Sequence, residues 1–395
     1  MNNMEIKDII INSSLMLPPP TILTRNNRDD LTFYSFKGKS ISVPRKQRVT
    51  KKTIYTCDIN GTIFQTFNMH TNRLLIIKKI SILQFKNHLQ GRMMLRNCYY
   101  QRFFDHHPFV SGFKVSKRKS LNFQKEKLSK SPIDDGTDLY FEFDQSDFTL
   151  YQMLRFDQVT TRYESPYIMF QLLTTINYIH SSSVIHRSLD PKTIAVDKEY
   201  KIKLFDFSFS ISTDYPTDIF FKDYDETPWP YRSPETIIML KEFSFSCDVW
   251  SIGVIFAELI LGQQLFRGEN RQSLLIEISE LIGTPTYDEC KESTNSLARN
   301  FILNIPLKSR HGGIKRRIPN ATQEEIELLE GMLCWNPNKR WTIDRIIRHP
   351  YFKTYNHIEQ YKCGKKFSLG SPFDFHRLNA KEIKKIIEED FVSQP

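Results

Sequence analysis

The sequence has no apolar run long enough to cross a bilayer, and it has few cysteines. Its longest apolar stretch, 251–262, is shorter than the about 20 residues that a membrane-spanning helix needs. Six cysteines are scattered along 395 residues without a C-x-x-C pair, and residues 1–30 lack the apolar core and cleavage site of a signal peptide. We therefore expect reduced thiols, no membrane segment, and a protein of the cytoplasm or the nucleus.

Nucleic-acid-binding signatures are also missing, although the chain is basic. Its 55 Lys and Arg residues outnumber its 45 Asp and Glu residues, which gives a formal net charge of +10. The sequence contains no basic region joined to heptads, no Cys/His finger spacing and no aromatic-basic repeat. The basic residues gather in 37–52, 114–130 and 308–317, which we interpret as solvated loops. We expect no nucleic-acid partner.

The remaining pattern is typical of a globular protein with two unlike parts. Hydrophobic residues make up 40% of the chain and charged residues 25%, which is close to the average for folded domains. Runs of β-forming residues at 62–64, 74–80 and 139–143 predict an antiparallel sheet. From Tyr163 the apolar residues repeat at helical spacing, and 250–261 is apolar nearly all round. This order predicts a sheet lobe, a helical lobe and a cleft between them.

A series of motifs follows one order along the chain. Its members are Lys78, His186-Arg187-Ser188-Leu189-Asp190-Pro191, Asp206-Phe207-Ser208, Tyr231-Arg232-Ser233-Pro234-Glu235, Asp248-Val249-Trp250-Ser251-Ile252-Gly253 and Arg340. In spacing and context the series resembles the eukaryotic protein kinases. Thr32-Phe33-Tyr34, Ile194-Ala195-Val196 and 297–308 are most similar to the stress-activated branch of the MAP kinases. The resemblance implies an α+β, bilobal protein-kinase fold, with a small antiparallel-sheet N-lobe and a mostly helical C-lobe.

The resemblance also implies how the chain is divided. The divisions are a flexible leader (1–31), a lead-in strand region (32–52), the N-lobe (53–143) with a mobile insertion (114–135), the C-lobe (144–352) with a MAP-kinase-type insert near 269–318, and a tail (353–395) packing back on the N-lobe. The last helix is predicted at 380–391, where Asn379 is a suitable N-cap and the apolar residues form one stripe.

ATP and Mg²⁺ are the cofactors that the resemblance implies. Lys78 takes the position that contacts the α- and β-phosphates, Asp206 that of the Mg²⁺ carboxylate, and Thr193 that of the metal-binding asparagine. The other implied nucleotide-binding positions are Gly61, Ile63, Ile76, Glu142, Asp144 and Ala195.

The nucleotide-binding positions depart from the kinase pattern. Three glycines normally let backbone N–H groups approach the phosphates, and here their positions read Thr56, Asp58 and Gly61. Ile76 replaces the alanine above the adenine, and its branched side chain should narrow the slot. We therefore expect weak nucleotide binding at best.

The lysine and its usual partner also differ. Active kinases pair the lysine with a glutamate from the next helix, but no acidic residue lies between Lys78 and Asp105. The aligned position falls near Cys98, so this helix cannot supply the ion pair.

The catalytic loop shows the largest change in chemistry. Ser188 replaces the general base, and a hydroxyl that keeps its proton at neutral pH cannot orient an acceptor hydroxyl as a carboxylate does. Asp190 replaces the lysine that steadies the transferring phosphate, which reverses a charge beside the phosphates. A base shifted to Asp190 and a non-functional remnant there are the two alternatives, and we favour the remnant.

Regulatory and structural positions complete the resemblance. Lys222 and Tyr224 take the threonine and tyrosine positions of the family's Thr-x-Tyr motif, so dual phosphorylation is impossible there while Tyr224 keeps a modifiable hydroxyl. The structural positions of the family are kept at His186, Arg187, Glu235, Asp248 and Arg340.

Three functions remain open from the sequence. The leading hypothesis is a MAP-kinase-like pseudokinase, a monomer that serves as scaffold, decoy or allosteric partner of signalling proteins in a MAP-kinase pathway. The first alternative is a weakly active Ser/Thr kinase with Asp190 as a substitute base. The second is an ATP-binding sensor without turnover.

Overall fold

The structure, a computed structural model, describes most but not all of the chain. The described residues are 21–26, 31–36, 39–44, 47–58, 61–68, 73–81, 88–119, 137–143, 148–156, 158–213, 229–238, 244–291, 296–306, 308, 312–355, 357, 365–367 and 378–392. The chain separates into a sheet unit (1–105, 111–147 and 370–395) and a helical unit (106–110 and 148–369).

The sheet unit contains eight strands and two helices among its described residues. They are β1 (Thr21–Asn26), β2 (Leu31–Phe36), β3 (Lys39–Pro44), β4 (Gln47–Asp58), β5 (Gly61–Asn68), β6 (Arg73–Ser81), α1 (His88–Phe104), β7 (Phe113–Lys119), β8 (Thr137–Phe143) and α12 (Ala380–Asp390). Strands β1-β2-β3 form one antiparallel sheet, and β4-β5-β6-β8-β7 form a second.

The alternation of side chains along β6 places residues on both faces of the larger sheet. Ile77 packs in a buried cluster with Phe64, Tyr140, Ile41 and Val43, the last two from β3. The smaller sheet therefore contributes to the core of this unit rather than standing apart from it.

A buried ion pair lies within the same sheet. The Lys79 ammonium lies 2.7 Å from Asp138 Oδ2, and both side chains are less than a tenth exposed. The strand pairing places Tyr140 opposite Lys79 and Ser81 opposite Asp138. The ion pair therefore joins β6 to β8 diagonally.

The helical unit has a longer series of elements. Its strands are β9 (Phe148–Thr149), β10 (Val184–Ile185), β11 (Ile194–Val196), β12 (Ile202–Leu204) and β13 (Ile211–Ser212). Its α-helices are α2 (Leu150–Phe156), α3 (Gln158–Ser181), α4 (Pro234–Ile237), α5 (Ser246–Leu261), α6 (Arg271–Ile282), α7 (Tyr287–Cys290), α8 (Ser296–Leu303), α9 (Gly313–Arg317), α10 (Gln323–Met332) and α11 (Ile343–Ile347). Its 3₁₀ helices are η1 (Pro191–Thr193), η2 (Trp229–Tyr231), η3 (Pro337–Lys339) and η4 (Pro350–Tyr355).

Helix α5 is the centre of the helical unit. Every residue from 247 to 260 is buried, as its nearly continuous apolar sequence predicts. It packs against α3 and α10. It ends at Gly262, whose φ of 71° is the left-handed conformation that glycine adopts without a steric cost.

Three sequence-based expectations need correction. The leader was expected to be flexible throughout, but Thr21–Asn26 is a strand paired with β2, because its β-branched residues complete an antiparallel sheet. Part of the expected mobile insertion, Phe113–Lys119, is strand β7, paired along its length with β8. The expected tail is divided, since its described residues 353–355 and 365–367 group with the helical unit and 378–392 with the sheet unit.

The described residues contain no helix that is both long and apolar enough to span a membrane. The remainder of the expected insertion, 120–135, lies outside the described residues.

Candidate functional site

The catalytic loop follows β10 and is held by one buried carboxylate on α5. Asp248 accepts the backbone N–H groups of His186 and Arg187, each at 2.8 Å, and it also contacts His180 Nε2 at 2.8 Å. Arg187 has a φ of 68°, a conformation that costs energy for a residue with a side chain. Asp248 therefore stabilises a strained loop.

His186 packs rather than titrates in this loop. Its ring lies 5.0 Å from the Phe207 ring, and burial lowers the pKa of His186 to about 4. Arg187 is also buried, and its guanidinium donates to the Phe209 carbonyl at 3.3 Å. Both residues thus hold the loop together.

Ser188 presents only a hydroxyl where a kinase presents its base. It is half-buried, and its backbone N–H lies 3.4 Å from His186 Nδ1. A serine hydroxyl has no charge with which to orient a substrate hydroxyl at neutral pH. Ser188 therefore keeps its place in the loop but supplies no carboxylate that could act as a general base.

The Asp190 side chain serves as a helix cap. Its Oδ1 accepts the Lys192 N–H at 2.7 Å and caps η1, and the residue is 3% exposed. Burial raises the pKa of Asp190 above its usual range, an effect that Asp206 adds to and Lys192 opposes. A buried capping carboxyl is poorly placed to accept a proton from a protein substrate, so the geometry disfavours Asp190 as a substitute base.

The Asp206 carboxylate is hydrogen-bonded within its own loop, unlike a carboxylate that is free to bind a metal ion. Asp206 has a φ of 75°, and its Oδ1 accepts hydrogen bonds from both the backbone N–H and the hydroxyl of Ser208. Ser208 thus binds the Asp206 carboxylate. One of the two Asp206 oxygens is already committed within the loop.

The donor set tests whether this loop fits a Mg²⁺–nucleotide complex. The Thr193 hydroxyl donates to the Asp190 carbonyl at 2.9 Å, and a neutral hydroxyl is a poorer Mg²⁺ ligand than a carboxylate or amide oxygen. In the described part of the chain, no three His, Cys, Asp or Glu residues are arranged to hold a metal ion. With a carboxyl at position 190 in place of a cation, the residues do not fit the Mg²⁺–nucleotide pair of an active kinase.

The sheet unit holds Gly61, Ile63, Ile76 and Glu142 among the expected nucleotide-binding residues. Asp58 pairs with Gly61 at the end of the β4–β5 hairpin, and Ile63 pairs with Lys78 in the next ladder. Ile76 is fully buried and Glu142 is half-buried opposite Ile77.

Cys98 of α1 lies near Lys78, where an active kinase has a glutamate. The charge of Lys78 acts on the Cys98 thiol, but burial dominates and raises the pKa of Cys98. The thiol therefore stays neutral and does not replace the missing carboxylate.

The other expected residues are divided between described and undescribed parts of the chain. Ala195 is buried on β11, where it pairs with Lys203. Asp144, Lys222 and Tyr224 lie outside the described residues, so the regulatory expectations remain predictions.

Glu235 and Arg340 form a buried ion pair. Two parallel hydrogen bonds of 2.7 and 2.5 Å join the guanidinium to the carboxylate. Arg340 also donates to the carbonyls of Ser246 and Cys334. These contacts connect α4 and α5 to the segment after η3.

One buried contact was not anticipated from the sequence. The Tyr231 hydroxyl donates to Glu258 Oε2 at 2.9 Å, and the Leu265 N–H donates to Oε1 at 3.1 Å. Within the nearly apolar sequence 249–261, Glu258 is the one charged residue, and that charge was the available signal.

The sequence predicted the last helix, α12, but not the residues of α1 that it contacts. The Asn379 side chain caps α12, while Ile383 and Ile387 are buried. The partners of α12 on α1 are Tyr99, whose hydroxyl donates to Asp390 at 2.6 Å, and Arg102, which donates to the Asp390 carbonyl at 2.6 Å.

Comparisons with known proteins agree with this geometry. The protein kinase domain model matches residues 59–352. A probable inactive serine/threonine-protein kinase of Dictyostelium discoideum is 84% identical over 392 residues, which are 99% of this chain and 100% of that protein. A probable serine/threonine-protein kinase kinase of the same organism is 39% identical over 96% of this chain and 85% of that protein. Mitogen-activated protein kinase 10 of Arabidopsis thaliana is 28% identical over 83% of this chain and 78% of that protein.

The matched domain spans most of the chain and includes the catalytic loop that Asp248 holds. The sheet unit and the helical unit correspond to the two lobes of the kinase fold. The chain therefore belongs to the protein kinase superfamily, as a MAP-kinase-like member.

Proposed function

We propose that this protein is a MAP-kinase-like pseudokinase, which acts by binding other proteins rather than by transferring phosphate. The observation that carries the proposal is the catalytic loop, where Ser188 has replaced the base and the Asp190 carboxyl is buried as a helix cap. The relative at 84% identity is described as a probable inactive kinase, which supports the same function.

Charge supports the loss of phosphoryl transfer. The transition state spreads negative charge over the transferred group, and catalysis consists mainly of positioning that group and neutralising its charge. Asp190 puts an acid where the family has a cation, and the pKa of Asp190 is raised by burial and further by the charge of Asp206. The loop therefore lacks the cation that would neutralise the charge of the transferred group.

The buried ion pairs support retention of the fold for binding. Asp248 and the Glu235–Arg340 pair keep the loop and the helices around α5 in the kinase arrangement. A kinase fold that is retained without phosphoryl transfer is suited to a scaffold, a decoy or an allosteric partner. We propose signalling proteins of a MAP-kinase pathway as its partners, a monomeric state, and the cytoplasm or the nucleus as its location.

A phosphotransfer assay tests this function. Purified full-length protein with radiolabelled ATP, Mg²⁺ and a generic protein substrate should transfer no phosphate above background. The variant Ser188→Asp/Asp190→Lys, which restores both charges, serves as a comparison. Transfer by the wild type that Asp190→Ala abolishes would establish the weakly active kinase instead.

Nucleotide binding without turnover is a second candidate, because Lys78 and Asp206 are retained. A thermal-shift titration with ATP and Mg²⁺ separates it from the scaffold. We expect little or no saturable rise in melting temperature. A saturable rise that Asp206→Asn removes, and that the exposed control Asp288→Asn keeps, would favour the sensor.

A further inference from the structure

Two cations of the helical unit lie against one tyrosine ring. The Arg155 guanidinium carbon lies 4.5 Å from the centre of the Tyr151 ring, and the Lys192 ammonium lies 5.1 Å from it. Both distances are within the about 6 Å over which a ring attracts a cation. Because both are measured to the same ring, the two charges lie within about 10 Å of each other. These three residues form the cation–tyrosine cluster.

The cation–tyrosine cluster is built on two elements that pack together. Tyr151 and Arg155 are one turn apart on α2, so their side chains share one face of that helix. Helix α2 packs against η1, which contains Lys192. The Lys192 N–H donates to the Asp190 side chain at 2.7 Å, and this bond fixes the backbone that carries the ammonium. Helical elements of defined geometry therefore present both charges.

Neither cation forms an ion pair within the described part of the chain. Arg155 is exposed and Lys192 is half-buried, and no described carboxylate lies within ion-pair distance of either. The Asp190 carboxyl is 3% exposed and is used as the cap of η1, so it does not face a ligand. Two like charges at this distance repel each other, and an anion that contacts both is therefore favoured.

The separation of the two cations indicates which ligand could neutralise both. In an extended peptide, residues two positions apart point to the same side and lie about 7 Å from each other. Two acidic side chains with that spacing match two cations that are at most about 10 Å apart. Arginine and lysine both bind carboxylates and phosphates. The matching chemistry is therefore a pair of anionic groups on one extended segment.

We propose that the cation–tyrosine cluster is a docking site for an acidic segment of a partner protein, in which two carboxylates or two phosphates lie two residues apart. The inference rests on the binding function proposed above and names the chemistry of the partner. The Tyr151 ring holds the two cations in place, and the cations contact the ligand. A nucleic acid is disfavoured, because its backbone is normally bound through many phosphate contacts and the cluster offers two cations.

Fluorescence anisotropy of labelled peptides with the full-length protein, without nucleotide, tests the site. The probes consist of Gly and Ala residues and carry two phosphoserines, two Glu residues or two Gln residues, in each case two positions apart. None contains an unmodified Ser, Thr or Tyr, so binding cannot be recognition of a phosphate acceptor. We expect saturable binding of an anionic peptide that weakens as salt rises from about 50 to about 200 mM, and no binding of the Gln peptide. The tighter of the two anionic peptides identifies the preferred anion.

Variants of the cation–tyrosine cluster locate the binding. Arg155→Gln and Lys192→Gln should each weaken it by about two- to fivefold, as expected for the loss of one exposed ion pair. The matched control Lys353→Gln, which removes the same charge from an exposed position on η4, should leave it unchanged. Tyr151→Phe should bind like the wild type, whereas Tyr151→Leu should bind more weakly although it removes no charge, because the ring no longer holds the cations. The melting temperature of each variant checks that it folds.

Three results would overturn the proposal. They are no saturable binding of either anionic peptide, binding that Arg155→Gln/Lys192→Gln leaves unchanged, and tighter binding of a short RNA oligonucleotide that the same double variant loses. Each of these results leaves the pseudokinase function standing, because phosphotransfer decides that function. Conversely, phosphate transfer by the wild type would refute the pseudokinase and leave the peptide measurement unaffected.

Discussion

Replacing Arg340 by methionine removes one half of a buried ion pair and leaves the other half charged. The Arg340 guanidinium makes two bonds to Glu235, at 2.7 and 2.5 Å, one to the Ser246 carbonyl at 2.9 Å and one to the Cys334 carbonyl at 3.0 Å. Methionine fills a similar volume but donates none of these hydrogen bonds. Glu235, which is 4% exposed, would keep its charge without a counter-ion.

The expected cost follows from that buried charge. Removing one partner of a buried pair destabilises a protein by about 3–5 kcal/mol, mainly because the other charge is left uncompensated. In a domain of about 150–250 residues each kcal/mol lowers the melting temperature by about 2–4 °C, so Arg340→Met should lower it by about 6–20 °C.

Urea and thermal unfolding of four proteins provide the assay. They are the wild type, Arg340→Met, Glu235→Gln and the double variant. Since the double variant contains neither charge, it should be more stable than the sum of the two single costs predicts, with a coupling of about 0.5–3 kcal/mol. Asp288→Asn, which breaks an exposed pair of 3.3 Å with Lys291, should stay within about 0.5 kcal/mol of the wild type.

Two results would refute this reasoning. Single variants within about 1 kcal/mol of the wild type would show that water or another group compensates the remaining charge. Additive single costs in the double variant would show that the two residues do not interact.

Three further perturbations test the loop, the central helix and the last helix. Asp248→Asn should lower the stability by about 1.5–3 kcal/mol and expose the catalytic-loop amides to hydrogen exchange, because a charged acceptor of backbone hydrogen bonds is lost. Gly253→Ala should cost about 1–3 kcal/mol in urea unfolding, because the added Cβ would lie 2.9 Å from Leu333 Cδ2 and Met332 Cβ. Phe391→Ala should cost about 3 kcal/mol and speed exchange in α1, because the Phe391 ring is 6% exposed.

An exposed leucine provides the control for Phe391→Ala. Leu297→Ala removes a side chain that is 80% exposed, so it should leave the exchange of α1 unchanged. A stable Gly253→Ala protein would contradict the close packing of α5 against α10. Unaltered α1 exchange in Phe391→Ala would contradict the docking of α12.

Local sequence predicted the elements whose neighbours in the chain define them. The runs at 62–64 and 74–80 became β5 and β6, and the continuous apolar segment became α5, because alternation and apolar character record burial directly. Strand β1 was missed, because its stability depends on pairing with β2 rather than on its own weak pattern.

The candidate site was predictable to a similar extent. The order of the motifs identified Ser188, Asp190 and Asp206, since residue type alone shows that a base or a cation is missing. The hydrogen bond from Ser208 to Asp206 and the cap that Asp190 forms are matters of side-chain geometry, which the sequence left open.

The sequence by itself determined which chemical groups this kinase-like loop can and cannot offer, because a substitution changes charge and functional group wherever the residue lies. Only the tertiary structure decided how Asp190 is used. Contacts between residues 27 and 68 positions apart bring Tyr231 to Glu258 and His180 to Asp248, and burial raises the pKa of Glu258 to about 7. Desolvation and pairing depend on distance in space, which the order of residues along the chain does not specify.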